Sequence, residues 1–142
     1  MPRHTKHAYN FLVEWGGTRL NFIEVSGLNI SLDVVELREG GDPNQPPRKL
    51  PGHIHYSNII LKRGIAKGAN DFINWINSTN ANNIDRRDII IKLLNEKLET
   101  VVSWKVIKAF PVKFSGPVLH TNANEIAIEE LEITHQGLIT GT

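Results

Sequence analysis

The chain has 142 residues, enough for one domain with its own core, and carries a formal net charge of +1 with 22% charged residues. So even a balance gives no broad field for nucleic acid, an anionic membrane or an acidic substrate. The absence of cysteine removes disulfides, thiol catalysis and cysteine metal sites together.

Met1–Ala8 is polar and basic, without the apolar core of a signal peptide, and reads as an arm; synthesis in the cytoplasm is expected. No apolar run approaches the roughly 20 residues that span a bilayer, so stable membrane insertion of the isolated chain is not expected. Tyr9–Trp15 alternates apolar and polar residues as a strand does. Gly16-Gly17 is a hairpin signal, and Thr18–Val25 returns with Leu20, Phe22 and Glu24 on one face. Leu28–Arg38 places Leu28, Ile30, Leu32 and Val34 on one face, after which Val35 and Leu37 become the apolar set. A period of two changes phase only at a bulge or bend, predicted here near Val34–Val35.

Glu39–Pro51 holds four of the seven prolines and reads as a proline-stiffened loop. A strand follows within Gly52–Gly64, with Ile54, Tyr56 and Ile60 on one face and Ile59 and Leu61 on the other. Helical spacing of Phe72, Ile73, Trp75 and Ile76 predicts a helix over Asn70–Thr79, started by Asn70 or Asp71 and laid across a sheet. Arg86–Asn95 is an isoleucine-rich strand, Asn95–Glu99 a charged hairpin loop, and Thr100–Phe110 the returning strand, with breaks at Pro111 and Gly116-Pro117. Asn124–His135 is the last long strand. Ile126 and Ile128 share one face and Leu131 and Ile133 the other, a second phase slip. The sum is a mainly β domain, an antiparallel sandwich or partly closed barrel of about seven strands with one covering helix. Phe72, Trp75, Ile76 and Trp104 are the predicted core residues.

The catalytic inventory is thin. His53 and His55, two apart on a strand, point the same way, but no third metal ligand is near; a solvent-facing pair is the simpler reading. Glu129, Glu130 and Glu132 read as a solvated acidic face rather than a catalytic carboxylate pair, since Glu129 and Glu130 point to opposite sides of a strand. Gly40-Gly41 lacks the ending of a phosphate-binding loop, and Ser26-Gly27 the flanks of a nucleophile elbow. No enzyme activity, metal or cofactor is expected.

Several blocks, in order, resemble the inner tube protein of contractile phage tails: Val25–Leu28 (Val-Ser-Gly-Leu), Val35–Gly40 (Val-Glu-Leu-Arg-Glu-Gly), Arg48–Gly52 (Arg-Lys-Leu-Pro-Gly) and Asn58–Gly64 (Asn-Ile-Ile-Leu-Lys-Arg-Gly). Later come Phe72–Trp75, Ile90–Glu96, Trp104, Ala109–Lys113, Asn124–Glu129 and Leu131–Ile133. The resemblance runs from about Tyr9 to Gly137. The Asn-Asp-Phe-Ile-Asn-Trp-Ile-Asn run resembles most the tubes of extracellular contractile injection systems, and the type VI secretion tube protein more distantly.

The resemblance implies hexameric rings stacked into a hollow tube inside a contractile sheath. That tube would be driven through a target envelope, with a bore that conducts cargo effectors or DNA. Implied partners are further copies of the chain, the sheath, baseplate or hub proteins and a tube terminator, in a phage tail or tail-like particle that can be released from the cell. The loop over 39–51 is expected to touch the next ring through Asp42, Asn44, Gln45, Arg48 and Lys49. Lumen-facing residues are expected among Asn29, Ser31, Asp33, Asn58, Lys62, Glu130 and Glu132. The competing reading is a monomeric barrel holding a small ligand, which requires an enclosed apolar cavity and covered edges.

Overall fold

The computed structural model describes residues 10–15, 18–38, 40–41, 43–65, 70–119, 121 and 127–141. The expected arm over 1–8, the Gly16-Gly17 turn, Asp42 and Ile126 lie outside them. Among the described residues the chain forms ten strands and one helix: β1 (Asn10–Trp15), β2 (Thr18–Phe22), β3 (Glu24–Ser26), β4 (Ile30–Leu37), β5 (Arg48–Tyr56), β6 (Ile59–Gly64), α1 (Asp71–Ser78), β7 (Arg87–Leu94), β8 (Thr100–Ser115), β9 (Ile128–Thr134) and β10 (Gly137–Gly141).

The main sheet is antiparallel and runs β2-β1-β7-β8-β9-β6-β3, with β10 also on β8. Its first and last strands, β2 and β3, are consecutive in sequence and separated only by a bend at Ile23, whose N–H donates to the Lys62 carbonyl at 2.9 Å. The path therefore returns to the segment it left, and the body closes as a barrel, which removes two edges.

The core fills this barrel. Val13, Ile89, Ile91 and Val106 enter from one half, Ile59, Leu61, Leu131 and Ile133 from the other, and all are fully buried. Phe72 and Trp75 of α1 reach the same core, and Phe72 stacks on Phe22 with centroids 5.7 Å apart. Ile73, by contrast, is exposed and Ile76 half-buried, so the helix inserts a two-residue stripe rather than the four-residue one its spacing predicts. Trp104 is half-buried against the core.

The longest strand does the bending. Pairing along β8 advances by an extra residue opposite Leu93/Leu94, again opposite Arg87/Ile89, and again between Pro111 and Lys113. All three extra residues belong to β8. At the middle one Lys108 takes a left-handed φ of 51° and its N–H is held by Asp88 Oδ1 at 2.9 Å. These bulges let one strand serve both halves of the barrel. Pro111 does not break it: the proline sits beside a bulge, where a ladder donor is dispensable.

Four sequence expectations change here. The predicted continuous strand over Gly52–Gly64 is two strands, broken at Ser57-Asn58. The expected loop over 39–51 ends earlier, because Arg48–Pro51 already belongs to β5. No slip is present in the described part of the last strand, Ile128–Thr134: β9 pairs β6 without a register shift, and Glu129, Leu131 and Ile133 all point inward. Finally, β10 was not anticipated; its five residues, Gly-Leu-Ile-Thr-Gly, are bracketed by the glycines that usually mark loops.

Candidate functional site

Outside the barrel, and among the described residues, β4 and β5 pair only with each other, as a two-stranded hairpin. Every residue of β4 is exposed. Ile30, Leu32, Val34, Val35, Leu37, Leu50 and Ile54 are each between 37% and 62% exposed. An isolated hairpin is marginal in water, so this arm is built to be covered.

The register shows how its two faces differ. Ile30 lies opposite Tyr56, Leu32 opposite Ile54, and Val34 opposite Pro51. Two residues of β4 pass between Leu32 and Val34 while β5 advances three, so the extra residue is on β5, at Gly52-His53 across from Asp33. The bulge predicted within β4 at Val34–Val35 is thus on the partner strand. β4 itself alternates without interruption, and its change of apolar phase is a change of which face is apolar. Near the barrel, Ile30, Leu32, Val34 and Ile54 form one face while Ser31, Asp33 and His55 form the other, with His55 Nε2 2.8 Å from Asp33 Oδ2. Toward the tip the apolar set crosses over to Val35, Leu37 and Leu50.

Two glycines make this possible. A Cβ on Gly27, at φ +92°, would lie 2.0 Å from the Asn58 carbonyl oxygen, so the chain leaves the body for the arm in contact with its return path. A Cβ on Gly52 would lie 3.1 Å from the Asp33 Cβ and 3.3 Å from the Val35 Cγ2. At the foot of the arm His135 bridges two carbonyl oxygens, Nδ1 3.0 Å from Gly137 and Nε2 3.1 Å from Ser57, with its ring against Tyr56.

Of the residues expected at the ring-to-ring contact, Asn44 and Gln45 are exposed in the turn joining the two strands, and Arg48 and Lys49 are exposed on β5 rather than in the loop. Lys49 stands across from Glu36, and Arg48 across from Leu37.

The residues expected at the lumen separate into two groups. Asn58, Lys62, Glu130 and Glu132 come together on the outer face of β6 and β9. Lys62 Nζ lies 3.1 Å from Glu130 and 3.3 Å from Glu24, and Asn58 Nδ2 donates to Glu132 at 2.9 Å. The hydrogen bonds Lys62 donates, to Glu130 first and then Glu24, hold its ammonium above its ordinary pKa. Lys113 and Ser115 of β8 lie across from Glu132 and Glu130 and complete a polar strip of largely neutralised charge. Ser31 and Asp33 are on the arm instead, and Asn29 is in the connector before it.

The barrel also buries a charge cluster that neighbouring residues in the sequence disguise. Arg63 and Glu129, each 4% exposed, face each other across β6 and β9, and Arg63 Nε donates to Glu129 Oε2 at 2.6 Å. Both guanidinium amino groups of Arg63 donate to Asp71, the first residue of α1, and the Arg63 Cζ lies 3.8 Å from the centroid of the Phe72 ring. Burial opposes the charge, but Asp71 and Glu129 outweigh it and hold the Arg63 pKa above its ordinary value. Asp71 is thus committed to Arg63; the N-cap residue Asn70 makes no side-chain cap bond. Glu129 is not part of a solvated face, as its sequence neighbours Glu130 and Glu132 suggest. The signal available was its phase, which is that of Leu131 and Ile133.

Comparison with known proteins gives one consistent picture. A family model described as T4-like virus tail tube protein gp19 matches residues 7–139. A chain of the sheath–tube complex of an extracellular contractile injection system, PVC, in its extended state is 33% identical, with a TM-score of 0.82, 92% of this chain and 87% of that one covered. A chain from the tube-terminating cap of the anti-feeding prophage is 32% identical, with a TM-score of 0.84 and coverage of 100% and 94%. Hcp1 from Flavobacterium johnsoniae shares the fold at 18% identity and a TM-score of 0.60, over 93% of this chain and 94% of that one. No curated protein sequence matches the chain.

Proposed function

This chain belongs to the T4-like virus tail tube protein gp19 family, and from that premise we propose that its copies close into hexameric rings that stack into a hollow tube. The chain is a structural tube subunit. The observation that supports its assembly is the β4–β5 arm, whose aliphatic side chains are exposed on both faces. A monomeric ligand-binding barrel offers no use for such an arm.

The tube works inside a phage tail or an extracellular contractile injection particle. Its partners are a sheath around it, a baseplate below it and a terminator above it, as the settings of the related solved chains suggest. Its role is mechanical and conductive rather than catalytic. The strip carrying Glu24, Lys62, Lys113, Glu130 and Glu132 lines the bore on this reading. Within it Lys62 is paired with Glu24 and Glu130, and the five charges are of mixed sign, so it offers little net field to hold a passing protein or nucleic acid.

Size-exclusion chromatography with light scattering over a concentration series tests the reading. Mass should rise in steps of six subunits and then as multiples of the ring. A constant monomer mass at every concentration, unchanged by added baseplate and sheath proteins, contradicts it.

A further inference from the structure

We infer that His135 is a protonation-dependent brace at the foot of the β4–β5 arm: the doubly protonated ring ties Ser57 to Gly137, and the neutral ring releases Ser57. The inference concerns a single chain and goes beyond the tube reading.

The two acceptors carry it. Nδ1 lies 3.0 Å from the Gly137 carbonyl oxygen and Nε2 3.1 Å from that of Ser57. A carbonyl oxygen only accepts, so each contact needs an N–H on the ring. The imidazolium has two. Either neutral tautomer has one, and turns a lone pair toward the other oxygen. The Tyr56 ring packs against the imidazole with centroids 5.3 Å apart, an aromatic neighbour that favours a cation.

The two ends of the brace differ. His135 and Gly137 share one tight corner, where the Gln136 N–H donates to the Ile107 carbonyl of β8 at 2.9 Å. Their own contact joins residues two apart and is partly buried. Ser57 lies on the return path of the arm, and its bond to the ring is exposed. A neutral ring therefore keeps the local bond and lets Ser57 go. Ser57 also donates its N–H to the Asn29 carbonyl at 3.3 Å, which joins the two connectors of the arm to each other. Losing the His135 bond thus loosens the arm against the corner without unpairing β4 from β5.

The ionisable groups on the surrounding elements are engaged elsewhere or face water. His55 of β5 is on the opposite face of the arm from Tyr56 and pairs with Asp33. Lys62 of β6 lies between Glu24 and Glu130, and Glu132 of β9 accepts from Asn58. Lys105 and Lys108 of β8 are exposed, and β10 carries no ionisable side chain. The hydrogen bonds favour the protonated ring. The arm is therefore braced at acid pH and freed as pH rises through the titration of the histidine.

Hydrogen–deuterium exchange of the full chain at about pH 5.5 and about pH 8, on either side of the ordinary histidine range, tests this. Rates are corrected for intrinsic exchange at each pH, and both runs use a concentration at which light scattering gives the same mass. Residues 27–32 and 54–58 should lose protection about threefold at the higher pH, as for one exposed hydrogen bond. Residues 87–94 of β7 should not change. His135→Gln, which gains no proton, should show the lower protection at both pH values. Nuclear magnetic resonance of the wild type gives a second readout. At the lower pH one histidine, identified by its contact with the Tyr56 ring, should show two slowly exchanging ring N–H signals. Wild-type protection that ignores pH, or an equal pH effect in His135→Gln, overturns the inference. A single slow N–H on that ring overturns it whatever the variant does. None of these outcomes bears on whether copies form rings, which the chromatography above decides.

Discussion

Arg63 and Glu129 stand directly across from each other on β6 and β9, joined by a 2.6 Å bond inside the barrel wall, and the same guanidinium holds Asp71 at the first turn of α1. One buried cation thereby fixes the helix to two strands. Glu129→Ala leaves Arg63 buried with half its partners, which costs about 3–5 kcal/mol. Urea unfolding measures this; a loss below about 1 kcal/mol contradicts the anchoring role. Replacing the group as a unit, with Arg63→Met, Asp71→Asn and Glu129→Leu together, should recover most of the loss.

Trp75→Ala removes a fully buried indole that also donates from Nε1 to the Asp85 carbonyl at 2.8 Å. The expected cost is about 3–5 kcal/mol, with a matching fall in the denaturation midpoint. A variant as stable as wild type contradicts the packing of α1 on the core.

Asp85 predicts an acid-side contribution to stability. Its hydrogen bond from Arg87 and, secondarily, one from Ser78 lower its pKa from 3.8, against an opposing effect of burial. A depressed carboxylate stabilises the fold above its unfolded pKa, and the benefit is lost as pH falls through the folded value. The stability gap between wild type and Asp85→Asn should therefore be constant above about pH 5 and close below the unfolded value, with a size under about 1 kcal/mol because the pair is one-third exposed. A gap that widens on acidification contradicts the assignment.

Gly27→Ala places a methyl group on the Asn58 carbonyl at a left-handed φ. The root of the arm must shift while the barrel core is untouched. The variant should keep most of its unfolding free energy yet require a higher concentration to form rings. Unchanged assembly would mean that the arm's angle of departure is irrelevant.

Arg48→Glu combined with Lys49→Glu reverses two positive charges near the tip of the arm. Rings should persist while stacking weakens, and wild-type stacking should fall with added salt. Long tubes formed by the double variant at wild-type concentration contradict a stacking role for this segment.

The sequence revealed the strands of the barrel well because β1, β6 and β7 carry strong apolar patterns that burial then used. It revealed the helix through Phe72 and Trp75. It misplaced the bends for an instructive reason. An apolar phase change in one strand need not be a bulge in that strand. In β4 it marks an exchange of apolar faces, with the extra residue on β5; in β9 it marks a glutamate occupying an inward position against Arg63. The three bulges of β8 left no trace in its pattern, because Lys105, Lys108 and Lys113 are tolerated wherever the strand faces water. The two apolar sets of β4 were legible in its sequence but the strand that carries the bulge was not, since cross-strand register is a pairwise property that one strand's sequence does not contain. The Lys62 strip was legible in part, its members having been grouped with Ser31 and Asp33, which the hairpin carries elsewhere.

Imaging the purified wild-type protein by negative-stain electron microscopy across a concentration series tests whether copies of this chain build a tube. Six-fold rings should stack into hollow tubes as concentration rises or baseplate proteins are added. Uniform small particles under all of those conditions would contradict it.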